Sequence, residues 1–424
     1  MDKKAWIISV SMGYGHQRTA FPLEFLASDG KVLRADDYSG MPLRDKKTWG
    51  NLRNFYESIS RMKRIFLIGK VLFYVYDYFF QKIFNFYPKK DLSRSNFQTK
   101  LIYNSIKNGW GKDLIERLKK KPLPLITTFL IPAFMADYFN YPNEIYCIIC
   151  DADISRSWAP LNPKTSKIKY LVPNERTLER LILYGVKKEN IFLTGYPLPF
   201  YNNTNENLKI LKEDLKIRLL NLDPNKNYLK KYESLIKDSL GFLPKESNRP
   251  LTLLFSVGGA GAQKEIGLKI LKNLSDKIRL GSVKLILAAG VKTEVKFYFE
   301  EEVKKLKLEK EVDILSGKDI EEYFSKFNIL LRKVDILWTK PSELSFYSAL
   351  GIPIIIAPTI GSHEEFNKKW LLESGYGIEQ EDPGNTREWL FDFIKKGSLA
   401  ECALQGFIEG EKNGVLNIKK IVEQ

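Results

Sequence analysis

Short apolar runs recur along the chain, each followed by a glycine or proline turn and then an amphipathic stretch. Residues 5–11 form the first such run, with helical periodicity over 17–27 after it. Runs at 31–36, 123–128, 144–150, 169–172 and 191–194 repeat the theme, with helical stretches at 133–139 and 175–184 between them. They are continuous rather than alternating, so they predict parallel strands buried on both faces. A second series opens at 251–256 and continues through 284–288, 312–315, 334–338 and 352–357, with helices at 265–274, 293–306 and 319–331. Such alternation predicts two doubly wound α/β halves, whose ligands sit beyond the carboxyl ends of the strands.

Three stretches break the pattern. Residues 49–87 are aromatic and apolar, interleaved with Arg53, Arg61, Lys63, Arg64, Lys70 and Lys82. The apolar run is too interrupted to span a bilayer. Basic and aromatic residues on helices suit a membrane interface; a buried helical hairpin with a solvated basic face is the alternative. Residues 201–249 are polar and rich in Asn, which predicts an interdomain linker. From Thr386 the chain is helical. The expected domains are therefore 1–200 (with an insertion at about 45–110), the linker 201–249, a second domain at 250–395 and a helical tail at 396–424.

Composition sharpens this picture in two respects. The 424 residues carry a net charge of +16, which favours an anionic partner. No nucleic-acid reader module is recognisable and the charge is diffuse, so a phosphorylated substrate or acidic lipid fits better. Cys147, Cys150 and Cys402 are too few for a disulfide framework. The C-x-x-C at 147–150 lies inside an apolar run, which favours buried thiols over zinc or redox chemistry. No signal peptide precedes the first strand, so a cytoplasmic protein is expected.

Candidate chemistry gathers at the turns. Gly13 and Gly15 sit between the first strand and its helix, followed by His16, one of two histidines. The turn lacks the third glycine of a dinucleotide fingerprint, and an isolated histidine often caps or packs. A strand–helix junction nevertheless makes His16 a site candidate. Asp151 and Asp153 end a strand, ahead of a loop with Trp158; a solvated turn is the alternative reading. Gly258, Gly259 and Gly261 form a second glycine turn. Gln263 and Glu265 replace the residues a Walker loop requires, leaving a strand–glycine–helix phosphate cradle. The stretch from Trp338 to Asn367 reads strand, turn, helix, strand, turn, helix. Pro341 suits a first helical turn, Ser342 is a candidate cap, Glu343 favours the positive helix end, and Gly351 stops the helix. Gly361, Ser362 and His363 open the next helix.

In this order the motifs resemble GT-B glycosyltransferases of the group holding monogalactosyldiacylglycerol synthase, diacylglycerol glucosyltransferase and the peptidoglycan-lipid GlcNAc transferase. Ser9-Val10-Ser11-Met12-Gly13-Tyr14-Gly15-His16 resembles their G-G-G-H turn. Asp151, residues 170–173, Leu193-Thr194-Gly195-Tyr196-Pro197 and Gly258–Gly261 match further landmarks. Thr339-Lys340-Pro341 with Gly351-Ile352-Pro353 resembles the T-K-P-G-G and G-L-P donor motif, and Glu364-Glu365-Phe366-Asn367 its Q-E-x-x-N. Departures are Ser342-Glu343 for Gly-Gly, Ser348 for the ribose-binding Glu, His363 for Gln, and Phe129 for the family's His. Glu343 is the candidate substitute at the ribose.

The resemblance implies two Rossmann-like domains facing a cleft, and an inverting, metal-independent hexosyltransferase of glycolipid synthesis. It would use a UDP-sugar as substrate and no cofactor, act on a lipid or membrane-associated acceptor, and lie peripherally at the inner face of the cell membrane. His16 and Asp151 are the catalytic candidates, with Gly13, Gly15 and Trp158 on the acceptor side. Gly258, Gly259, Gly261, Lys340, Ser342, Glu343, His363, Glu364 and Asn367 are the donor candidates. Two rivals share this fold: an epimerase of the UDP-GlcNAc type, and a binding protein that has lost turnover.

Overall fold

The computed structural model describes residues 4–62, 82–199, 204–258, 261 and 263–424. The core of the insertion, residues 63–81, lies outside them. Two compact units emerge, the first from Met1–Phe200, Ile360–Asn367 and Glu411–Gln424, the second from Tyr201–Thr359 and Lys368–Gly410.

In the first unit, β1 (Trp6–Ser9), β2 (Leu33–Arg34), β3 (Leu125–Thr127), β4 (Ile145–Ile148), β5 (Ile168–Val172) and β6 (Ile191–Leu193) form one parallel sheet. Its order is β2-β1-β3-β4-β5-β6. The chain leaves β1 for β2 on one side and then fills the other, so the switch point lies between β1 and β3. Most of these apolar runs are longer than the strands they form, because their end residues turn out of the ladder to make the loops; β5 instead begins one residue before its run. Ile7, Ile126, Ile148 and Leu171 from the sheet pack with Leu23 and Leu26, and with Val415, Ile418 and Val422 of the last helix, Gly414–Glu423. That helix can approach closely because residue 414 is glycine; a Cβ there would lie 2.1 Å from the Tyr196 carbonyl oxygen. Asn417 Nδ2 donates to the Thr194 carbonyl at 2.9 Å. The Thr194-Gly195-Tyr196 motif therefore docks the chain's end.

The second unit contains β7 (Leu251–Ser256), β8 (Val283–Gly290), β9 (Val312–Ser316), β10 (Ile336–Thr339), β11 (Ile354–Ile356) and β12 (Gly377–Glu379). All are parallel, in the order β12-β11-β10-β7-β8-β9, with the switch point between β7 and β10.

Several elements differ from the sequence reading. The first helix is not continuous: an α-helix at Tyr14–Ala20 passes into a 3-10 helix at Phe21–Leu26, where Pro22 lacks the N–H a longer helix needs. The helix after β10 is 3-10, Glu343–Leu350, and Ser342 makes no side-chain capping bond to it. Residues 201–249, read as a linker, count with the second unit. The helix Thr204–Leu222 buries Leu211, Leu215 and Leu219, and it carries Arg218 into that unit. The Arg218 guanidinium donates to the carbonyls of Leu331, Val334, Leu350 and Gly351. It thereby supplies donors to the end of the Glu343–Leu350 helix. The tail divides, with Lys396–Gly410 in the second unit and the rest in the first.

Candidate functional site

At the first switch point, Gly13 opens the Tyr14–Ala20 helix with φ of +90°, a conformation only glycine adopts without strain. This places His16 in the first turn, beside the end of β3. His16 Nδ1 lies 2.8 Å from the Thr128 carbonyl oxygen. A carbonyl only accepts, so Nδ1 carries the hydrogen and the lone pair of the neutral ring is at Nε2. Thr128 Oγ1 donates back to the His16 carbonyl at 2.8 Å, so the two turns hold each other. The imidazole packs on Phe129, with centroids 4.7 Å apart at 61°, and faces Trp158 at 6.3 Å. Phe129 continues the wall toward Trp49, which meets Trp110 at 4.8 Å. Cys150 Sγ sits 3.5 Å from His16 Nδ1. Gly15 accepts from Thr19 Oγ1 through its carbonyl, and Thr19 Oγ1 also meets Tyr196 Oη at 3.1 Å.

The two aspartates after β4 have different surroundings. Asp153 is buried against Arg180, which donates from Nε at 2.8 Å and from Nη2 at 2.7 Å. Its carboxylate is thus consumed by structure. Asp151 is only half-buried, and among the described residues its side chain accepts from Asn367 Nδ2 at 3.0 Å. Trp158 is buried in a short 3-10 turn, and its carbonyl accepts from Tyr170 Oη at 2.8 Å.

In the second unit, the Gly258 turn is closed by a bond from Gly261 N to the Gly258 carbonyl at 2.7 Å. Gly259 lies outside the described residues. A Cβ at 258 would stand 2.6 Å from Lys340 Cε, so the stem of Lys340 lies across the glycine backbone. Gly261 has φ of +68° and runs against Val295 and the stem of Lys292. Gln263 Nε2 donates to the Pro358 carbonyl at 2.6 Å, tying the β7 turn to the loop after β11. Glu343 starts the 3-10 helix with 8% of its surface exposed. Ser348 is 1% exposed and its Oγ donates to the Ser345 carbonyl at 2.9 Å, so it faces the backbone rather than a ligand. At the second switch point Lys340 therefore lies against Gly258, and Ser342 and Glu343 follow it in the chain.

The helix Ser362–Glu373 begins in a segment that counts with the first unit. Glu364 Oε2 accepts from Ile360 N at 2.6 Å, and its other oxygen is 4.0 Å from His363 Nε2. Asn367 is buried, with Oδ1 accepting from Ala152 N at 2.7 Å. Glu364 and Asn367, read from sequence as donor ligands, thus hold their own turn and the Asp151 loop.

Sequence reasoning missed Thr128 as the partner of His16, Gln263, and Lys292. Each contact joins turns far apart in the chain and has no local signature. Among the described residues, no group of three or more His, Cys, Asp or Glu side chains could hold a metal ion. Cys147, Cys150 and Cys402 are buried thiols outside any disulfide, and burial pushes the Cys147 thiol well above its usual pKa.

A model of a domain of unknown function, DUF6938, matches residues 243–324 and 292–422. Over 131 residues the chain is 32% identical to the UDP-N-acetylglucosamine--N-acetylmuramyl-(pentapeptide) pyrophosphoryl-undecaprenol N-acetylglucosamine transferase of Alkaliphilus metalliredigens (strain QYMF). The match covers 30% of this chain and 34% of that protein, about a third of the relative's length. Among solved structures, MurG of Acinetobacter baumannii aligns with a TM-score of 0.51 at 12% identity, over 99% of both chains. The glycotransferase of kitacinnamycin aligns with a TM-score of 0.50 at 11% identity, over 100% of this chain and 99% of that one. At these identities the likeness establishes the fold: the chain has the two-domain, Rossmann-like GT-B architecture.

Proposed function

We propose that the protein is a glycosyltransferase that moves a sugar from a UDP-sugar to a lipid or membrane-associated acceptor, with inversion and without a metal. The observation that supports this reading is the His16–Thr128 pair at the switch point of the first sheet, which fixes the imidazole through Nδ1, so that Nε2 would serve as the base. The second unit would take the nucleotide. Backbone N–H groups of the glycine turn and the Lys340 ammonium would neutralise the diphosphate as charge develops on the leaving group. Glu343 would bind the ribose, since Ser348 is turned inward. His363, in the first turn of its helix, would add a hydrogen bond to the donor.

In this mechanism His16 Nε2 takes the proton of the acceptor hydroxyl as its oxygen attacks the anomeric carbon. The bond from that carbon to the diphosphate breaks on the opposite face, and UDP leaves with the electron pair. Asp151 is the competing base. Phe129 and Trp158 shape the wall beside His16 and suit an apolar or sugar-faced acceptor. The name of the Alkaliphilus relative, an N-acetylglucosamine transferase acting on a pyrophosphoryl-undecaprenol acceptor, supports this choice of substrates.

The protein would work peripherally on the cytoplasmic membrane face, through the basic and aromatic insertion. Among the described residues, no helix is long and apolar enough to cross a membrane. Incubation with labelled UDP-sugar and vesicles rich in acidic lipid should put label into the lipid phase. Flotation of the protein with those vesicles should weaken with salt, at about 1 kcal/mol per basic residue engaged. Neutralising Arg61, Lys63, Arg64 and Lys70 should abolish flotation. Label that remains on the nucleotide as an epimer would replace this reading with the epimerase, and salt-independent flotation would remove the insertion's role.

A further inference from the structure

We propose that Asn367 is a positioning residue for the Asp151 carboxylate rather than a ligand of the donor. Asn367 is 0% exposed, and both ends of its amide are engaged within the first unit. Oδ1 accepts from Ala152 N at 2.7 Å, while Nδ2 donates to Asp151 Oδ1 at 3.0 Å. A primary amide offers a donor and an acceptor at such a spacing while neutral, so Asn suits this position where an ionised Asp or a Leu would not.

The peptide that Asn367 grips is held on its other side too. The Ala152 carbonyl accepts from Asn174 Nδ2 at 3.1 Å and from Thr177 Oγ1 at 3.1 Å. Asn174 also caps the helix Glu175–Leu183, so the loop is anchored to a rigid element. Cys150, the residue before Asp151, contacts His16 Nδ1 at 3.5 Å. One clamped stretch therefore carries both Asp151 and the cysteine that touches His16. Asp153 is spent on Arg180, which leaves Asp151 as the carboxylate of this loop whose direction is set by a neutral partner. Asn367 spends its amide on that direction and has its surface closed to solvent, so it is poorly placed to take a nucleotide as well.

This inference rests on the variant of the proposed transfer in which Asp151, the competing base, acts on the acceptor, and the experiment separates the two. Asn367→Leu removes both bonds at similar volume. Turnover is expected to fall about 10- to 100-fold, as for a reacting group displaced by a fraction of its contact distance, with donor KM and UDP affinity within about twofold. A rise in donor KM at constant turnover would make Asn367 a donor ligand and overturn the proposal; so would unchanged kinetics. The exchange Asp151→Asn with Asn367→Asp restores a donor–acceptor pair with the roles reversed. It should recover the melting temperature lost in Asn367→Leu without recovering turnover, and recovery of both would make the bond merely structural. Amide hydrogen exchange at Ala152 is read in the same samples and needs no activity. It should quicken in Asn367→Leu and slow again in the exchanged pair; unchanged protection would refute the clamp itself. Wild-type protein that neither binds UDP nor transfers sugar would sink the functional reading, whatever Ala152 shows.

Discussion

Replacing His16 with alanine should lower turnover about 100- to 10,000-fold, the usual cost of losing a positioned base, while UDP affinity stays within about twofold. The split follows from where the interaction strengthens. Nε2 gains its proton only as the acceptor attacks, so its contribution belongs to the transition state and not to donor binding. Thr128 supplies the control. Its carbonyl fixes the imidazole through Nδ1 and its hydroxyl holds the turn, so Thr128→Val should disturb the turn while keeping the carbonyl. Rates per folded molecule separate loss of the base from loss of fold. Full activity in His16→Ala would remove His16 from the chemistry and leave Asp151 as the base.

The largest loss of stability is expected at Arg180. Its guanidinium and the Asp153 carboxylate are 0% and 5% exposed at the side chain and joined by two hydrogen bonds. Arg180 also lies over the Phe86 ring at 5.0 Å, as does Arg176 at 4.0 Å, which secures the returning end of the insertion. Arg180→Ala leaves a buried, uncompensated carboxylate and should cost about 3–5 kcal/mol. Asp153→Ala should cost a similar amount by stranding the guanidinium, whereas Asp151→Ala should alter stability little, and should lower turnover strongly if Asp151 rather than His16 is the base. Chemical denaturation with transfer assays on the folded fraction distinguishes the two aspartates. Equal stability losses at 151 and 153 would contradict the division of roles.

How far the sequence carried these conclusions depends on the range of each interaction. The strands were readable because a strand buried on both faces must be continuously apolar, as 251–256 and 144–150 are. The two glycine turns fell at the two switch points because a chain leaving a strand there needs glycine's conformational freedom at Gly13 and close backbone approach at Gly258. β12 was not readable. Three residues beginning with Gly377 show no apolar run, and the glycine is there because a Cβ would lie 2.4 Å from the Ile354 carbonyl oxygen. The 201–249 stretch misled through its polarity, since the apolar leucines that dock it are spaced among lysines and asparagines.

The site itself was readable in its residue types but not in its partnerships. Thr128 lies 112 positions from His16, and Asp151 lies 216 positions from Asn367. No local pattern reports such pairs. Asn367 and Glu364 were therefore assigned to a ligand by motif position, while in the fold they bind protein groups. Ser348 departs from the motif, and in the fold its hydroxyl is bonded to the Ser345 carbonyl.

Calorimetric titration with UDP tests the central claim most directly, because it asks whether the second unit is a nucleotide site independently of acceptor and membrane. UDP should bind and stabilise the fold, by about 2.7 kcal/mol at a hundredfold excess over its dissociation constant. Lys340→Ala should weaken UDP by about 1.5–3 kcal/mol, the worth of a hydrogen bond to a charged group, and leave uridine nearly unaffected. Gly258→Val, whose side chain would collide with Lys340, should weaken both. The account is contradicted if UDP, GDP, TDP and ADP at millimolar concentration all give neither binding heat nor a shift in melting temperature.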